Sequence, residues 1–434
     1  MYLIMTKINT VYMKKYLLCI ACLLFCVPLL QAQDTITLAQ CQKAALANYP
    51  LARQKGLYTQ TGEAAISNLK ANRWLPQMSV NGQASWQSEV TRLPIEVPGV
   101  QVPELSKDQY KITLDAGYTL YDGGVNRFER ELQKTSTARE VQGIEVELNR
   151  VKSQVNLYFL NALLAEENSK LMAMQQTHVK NQIDKLSANV TYGTAPQTTV
   201  DALQAEYLQL EQKLSEFKAL RNGFKEMLAI LTGLSIDENT TLGIEQEEIS
   251  IQNLPNQRPE MKLYGLQRSQ LAVQQGLVSS RIQPRVSAFA QTGAGRPALN
   301  LLNNDFRSFF LGGVRLSWTL SNGYTLKRER TILSLKEQMV NNQQATFEKN
   351  LSLELRQQQS EIERYQYLLE QDTEIVALRS KLRQRAASQL ENGAIAARDY
   401  ISELNAENQA RLNLNTHRVQ WQMAKLQYLT LTGN

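Results

Sequence analysis

Residues 110–124 read Tyr-Lys-Ile-Thr-Leu-Asp-Ala-Gly-Tyr-Thr-Leu-Tyr-Asp-Gly-Gly, and from Val125 to Tyr192 there follows a stretch with no proline and a single glycine, Gly143. The first part changes character at every residue. Tyr110, Ile112, Leu114, Ala116, Tyr118 and Leu120 stand against Lys111, Thr113, Asp115 and Thr119, the period of a strand with two unlike faces. The second part is helical: Ile144, Leu148, Val151, Val155, Tyr158, Ala162 and Ala165 alternate steps of four and three, the seam of a coiled coil. At 1.5 Å per residue that helix is about 100 Å long, more than a compact globule can hold.

Working outward, the same unit occurs twice. Asp122-Gly123 recurs as Asn322-Gly323, Gly193 as Gly393, and Leu231-Thr232-Gly233 as Leu431-Thr432-Gly433, each pair 200 residues apart. Pro76 and Pro284 are 208 apart, which puts a length change in a loop between them. From Tyr324 to Asn392 there is neither proline nor glycine, and Leu351, Leu355, Ile362, Tyr365, Leu369 and Val376 keep the heptad, interrupted by Gln358 and Asp372. Alternation also marks Met78 to Trp86 and Phe310 to Leu320, and more weakly Val286 to Ala294.

The expected organisation is a signal peptide over 1–32 and a first repeat over 33–234, with a helix from Thr37 to Asn72, strands 77–87 and 110–121, a long helix 125–191 and a helix 196–231. A connecting segment follows over 235–256. The second repeat, 257–434, has a helix from Gln257 to Arg281, strands 285–294 and 308–320, a long helix 325–391 and a helix 396–431. The short helices, stacked end to end, flank each long one.

Lys14 and Lys15 precede an apolar run from Tyr16 to Leu30 that ends at Gln31-Ala32, the pattern of an exported chain cleaved after Ala32. The run is about 15 residues, short of the roughly 20 that span a membrane. Met13 also serves as a start in this reading. Three of the four cysteines lie inside the signal, leaving Cys41 and no intramolecular disulfide; Ile20-Ala21-Cys22 falls too close behind the lysines for a lipidation site. Removing Lys7, Lys14 and Lys15 leaves 44 basic against 41 acidic residues, a balance that gives no reason to expect nucleic acid as a partner.

Strands of about ten residues with one apolar face suit an outer membrane, with lipid on one side and water on the other. Four strands cannot close around water, and an open edge is not tolerated in lipid, so the barrel has to be shared. Two chains would give eight strands filled by side chains; three give twelve with room for an aqueous path. The expected fold is therefore mainly α with a membrane β-barrel portion: two repeats of a strand pair plus long coiled-coil helices, a trimeric 12-stranded barrel continued by an α-helical barrel.

Asn48-Tyr49-Pro50-Leu51, Trp74-Leu75-Pro76-Gln77-Met78-Ser79, Tyr121-Asp122-Gly123-Gly124 and Arg258-Pro259-Glu260 occur in an order that resembles the outer-membrane efflux protein family, the TolC-like outer-membrane factors, along essentially the whole mature chain. The resemblance implies a homotrimeric exit duct in the outer membrane with a long periplasmic extension, docking onto a periplasmic adaptor and an inner-membrane pump of an efflux or type I secretion system. It implies that the hairpin tips at Gly193-Thr194 and Gly393-Ala394 face the adaptor. It also implies that Asp399, matched through Asn392-Gly393, narrows the entrance, with Glu403 one turn on as a second acidic ring and Asp201 as the counterpart in the first repeat. Read without the family, Asp399 is a charge favouring a helix N-terminus.

No enzyme, cofactor or metal site is expected. His178 and His417 lack partners at ligand spacing and read as surface or seam histidines. Asp122-Gly123-Gly124 lacks the context of a phosphate loop; a strand-to-helix turn with positive φ explains it. The alternative function is a periplasmic coiled-coil spacer or adaptor, its strands forming a soluble sheet with one buried face.

Overall fold

A computed structural model describes residues 35–90, 105–243, 255–300 and 303–433. The signal peptide expected over 1–32 and half of the connecting segment, 244–254, lie outside these residues. In chain order the elements are β1 (Thr35–Thr37), α1 (Leu38–Asn48), α2 (Pro50–Trp74), β2 (Gln77–Trp86), β3 (Asp108–Tyr121), α3 (Val125–Thr191), α4 (Gln197–Thr232), β4 (Thr241–Gly243), α5 (Pro259–Ser280), β5 (Arg285–Arg296), β6 (Arg307–Ser317), α6 (Gly323–Glu391) and α7 (Ala397–Thr432). The two long helices, α3 and α6, have 67 and 69 residues.

Helix α3 is the spine. Its seam residues Ile144, Leu148, Val151, Val155 and Ala162 are buried with Phe159 against Leu38, Cys41 and Ala45 of α1, Leu228 of α4 and Leu242 of β4. Farther along, Met172, Val179 and Leu186 meet Leu203 and Leu210 of α4, Leu390 of α6, and Tyr400 and Leu404 of α7 in a second core. In α6 the seam is thinner: Leu351 and Ile362 are buried, and the polar interruption Asp372 is buried too, its carboxylate 2.6 Å from Nδ1 of His417 on α7. His417 is thus a seam histidine.

The helix expected from Thr37 to Asn72 is two helices. Thr37 starts α1 with a reciprocal cap, its hydroxyl accepting from the Gln40 amide while the Gln40 side chain accepts from the Thr37 amide. Pro50 cannot continue that helix and instead occupies the first turn of α2, with Tyr49 extended between the two. The break has a use: Asn48 Nδ2 donates to the Thr232 carbonyl at 2.7 Å, tying the end of α1 to the end of α4. The second repeat has a related joint, where the Gln257 amide donates to the Thr432 carbonyl at 2.7 Å and Arg258 to the Thr430 carbonyl at 3.3 Å. Both joints sit beside the Leu-Thr-Gly ends of α4 and α7.

Strands β2, β3, β5 and β6 form one antiparallel four-stranded sheet in the order β2-β3-β5-β6, open at both edges. β1 and β4 form a separate parallel pair that periodicity did not reveal, since three residues are too few to show a period. Strand β6 ends at Ser317, short of the expected residue 320, because Leu320–Asn322 is a turn of 3-10 helix.

The paired turns also differ. Gly123 and Gly124 have φ of 74° and 88°, and the Asp122 carboxylate accepts from the amides of Gly124 (2.8 Å) and Asn126 (2.9 Å), capping α3. Asn322 and Gly323 have φ of −61° and −69°. Gly323 is the first residue of α6, and Asn322 Nδ2 donates to the Arg281 carbonyl at 3.1 Å. Positive φ is therefore required only at the first of these two landmarks.

Candidate functional site

The tips of the two helical hairpins and the faces of the sheet both carry charge or apolar surface that the packing of the described residues does not consume.

At the tips, Gly193 (φ 75°) and Gly393 (φ 69°) end α3 and α6 in the same way. The amides of Gly193 and Thr194 donate to the carbonyls of Val190 and Asn189, and those of Gly393 and Ala394 to Leu390 and Gln389, the paired bonds of a Schellman cap. The two hairpins are tied side by side: Glu391 accepts from Lys185 (2.8 Å) and Gln182 (3.0 Å) of α3. Those two donors hold its carboxyl below the usual glutamate range.

Asp399 is exposed in the first turn of α7 and accepts from the Ala396 amide at 3.3 Å, so it does act as an N-terminal charge. Its remaining acceptor capacity faces solvent. Glu403 lies 3.3 Å from Arg379, which offsets its charge. Asp201 accepts from Gln197 at 2.8 Å. Since α4 and α7 begin at Gln197 and Ala397, the position matching Asp399 in the first repeat is Thr199, and Asp201 sits two residues further on. Among the described residues no hydrogen bond or ion pair links Asp399, Glu403 and Asp201 to one another.

Below the tips lies a network that sequence reasoning missed. Glu407 is fully buried and accepts from Arg383 Nε (2.7 Å) and from Arg411 Nε (2.9 Å) and Nη2 (2.7 Å). Burial opposes its ionisation, but the two guanidinium groups prevail and hold the carboxyl below its ordinary range. His178 is pushed the other way. Burial first, and then the charge of Arg383, favour its neutral form, with Glu407 and Arg411 also acting on it. Glu407 and Arg411 show in the sequence as an i,i+4 pair; Arg383 is brought in only by the α6–α7 turn.

The sheet has two unlike faces. Cross-strand partners share a face, so the register places Met78, Val80, Ile112, Leu114, Ala290, Phe310, Val314 and Leu316 on one side. This side is not packed: Val80 and Phe310 are each 70% exposed, and Val314 68%. Exposed Trp86, Tyr110, Tyr121 and Trp318 stand at or beside the strand ends. The other face carries Ser79, Asn81, Lys111, Asp115, Gln291 and Arg315. There Asp115 accepts from Asn81 (2.7 Å), from Thr113 (2.9 Å) and from Gln291.

No protein-family model matches the sequence, and no curated protein matches it. Solved structures do share its shape. The outer membrane protein VceC of Vibrio cholerae is similar over 92% of this chain and 96% of its own, with a TM-score of 0.68 at 14% identity. The CmeC outer membrane channel of Campylobacter jejuni is similar over 91% and 85%, with a TM-score of 0.66 at 14% identity. The MtrE outer membrane channel of Neisseria gonorrhoeae, in its open state, is similar over 92% and 89%, with a TM-score of 0.65 at 13% identity. The chain has the fold of these TolC-like outer-membrane channels.

Proposed function

We propose that a chain with this fold is the subunit of an outer-membrane exit duct, conducting passively what an inner-membrane pump and a periplasmic adaptor deliver. The observation that carries the reading is the sheet. A soluble sheet buries its apolar face, whereas here that face is open on β2, β3 and β6, only half-buried on β5, and bordered by aromatic side chains, as in strands that meet lipid. The open edges at β2 and β6 require partners in a membrane. Three copies of the four-stranded sheet supply twelve strands, enough to surround an aqueous path.

In this assembly the apolar face meets lipid, the polar face lines the lumen, and the helices continue the wall into the periplasm by about 100 Å. The Gly193-Thr194 and Gly393-Ala394 tips, at the far end, present short capped turns to the adaptor. Three copies of Asp399 form an acidic ring at the entrance that attracts cations. Asp201 adds charge to the neighbouring tips, while Glu403, paired with Arg379, contributes little. A spacer or adaptor role leaves the exposed sheet face without a partner.

Membrane extraction tests the reading. Expected is retention in the membrane through a carbonate wash, a heat-modifiable band, and discrete conductance steps of the purified protein in a planar bilayer. Complete release by carbonate would sink it. Within a conducting channel, Asp399→Ala is expected to weaken block by multivalent cations; unchanged block would remove Asp399 from the entrance.

A further inference from the structure

The acidic entrance is not matched by the sheet. Register assigns every charged residue of the four strands to one face or the other. The polar face carries Lys111 on β3, Arg285 on β5, and Arg307 and Arg315 on β6, against one acid, Asp115. That is an excess of three positive charges per chain, or two if Asp305, 3.4 Å from Arg307 in the preceding loop, is counted with it. On the apolar face the charges are Asp108 and Arg296 at the strand ends, and they pair with each other.

The surroundings sharpen the imbalance. Asp115 keeps its charge but is engaged by three neutral side-chain donors, Asn81, Thr113 and Gln291, and forms an ion pair with none of the described cations of this face. Among the described residues no carboxylate forms an ion pair with Lys111, Arg285 or Arg315. Lys111 Nζ lies 5.0 Å from the Phe309 ring centre and the Arg315 guanidinium 5.0 Å from that of Phe289, contacts that hold both cations against the face without neutralising them. A confined aqueous path lined by one sign of charge concentrates ions of the other.

We propose that the β-sheet segment of the duct favours anionic solutes, those bearing carboxylate or phosphate groups, and that Lys111, Arg285 and Arg315 set this preference. The inference rests on the channel reading above. The duct then passes from an acidic entrance to a basic exit, and the two rings act on a solute in succession.

The test is the reversal potential of the full-length protein in a planar bilayer under a potassium chloride gradient. The variant K111Q/R285Q/R315Q is expected to lower the chloride-to-potassium permeability ratio by about threefold or more, with a smaller effect at high salt. An unchanged ratio in a variant that still gives wild-type steps overturns the inference and leaves the channel reading standing. If the triple variant does not assemble, the double variant Asp201→Asn/Asp399→Ala decides. With both unpaired acids of the tips removed, the residual selectivity belongs to the sheet, and a ratio above one is expected, whereas a cation preference overturns the proposal. Failure of the wild-type protein to give any steps defeats the channel reading, and this inference falls with it.

Discussion

Glu407 shows how much a single side chain can decide near the hairpin tips. It is fully buried, yet two arginines keep it charged. Glu407→Gln leaves Arg383, itself largely buried, without its counter-charge, and is expected to cost about 3 kcal/mol in denaturant unfolding. Replacing Glu407 and Arg383 together by Leu and Met should cost less than the single change, because only Arg411, the more exposed of the two arginines, is then left without its counter-charge. The same cluster sets a pH dependence. His178 has a native pKa below its ordinary 6.5, so the unfolded chain binds the proton first and stability is lost as pH falls from about 6.5 towards the native value. Glu407, also depressed, keeps its contribution above the ordinary 4.5 and loses it as pH falls further, through its native value. Thermal melts at pH 7.5 and 5.5 should therefore differ, and His178→Gln should shrink the difference; an equal drop in wild type and variant would assign the dependence elsewhere. Of these residues the sequence discloses the Glu407-Arg411 spacing alone. Arg383 lies 24 positions before Glu407, and only the folded turn shows that the two meet. Asp399, by contrast, reads from the sequence as a charge at a helix N-terminus, and the Ala396 amide donates to it there.

Among the elements, the long helices are legible for a plain reason: nothing in Val125–Thr191 or Gly323–Glu391 breaks a helix except Gly143 within the first. The short features escape notice. The Tyr49 break falls inside the single helix expected from Thr37 to Asn72, although Pro50 marks it, and β1 and β4 are three residues each. The identical spacing of Asp122-Gly123 and Asn322-Gly323 concealed two different backbones, since sequence distance records segment length and not φ. Where spacing and conformation do agree, at Gly233 and Gly433, the glycine is required twice over. Gly433 has φ 81°, and a Cβ there would lie 2.5 Å from the Gln257 backbone carbon. Gly433→Ala is thus expected to push Gln257 and Arg258 away from the end of α7. Proteolysis should detect this as earlier cleavage near residues 257–258, while Gly143→Ala, with nothing within 4 Å of its Cβ, should leave the digest unchanged.

For the whole molecule, the sheet makes the sharpest prediction, because neighbouring residues on β6 lie on the apolar and the polar face, which the proposed duct sets against lipid and water. Val314→Arg puts a charge on the apolar face and is expected to cost roughly 2–4 kcal/mol of insertion if that site is near the membrane centre, abolishing the heat-modifiable band. Arg315→Gln, one residue away on the polar face, should leave the band intact. Equal loss in both would mean that the two faces do not see different surroundings. The open edges have a further consequence, which is genetic. In the assembly proposed above, a chain whose β6 edge cannot pair still carries a sound β2 edge, so it can join intact copies yet leave one edge open, which lipid does not tolerate. In a cell making intact and damaged chains equally, such a three-copy barrel is wholly intact about one time in eight. The allele is then expected to act dominantly, its dose setting how many ducts are lost.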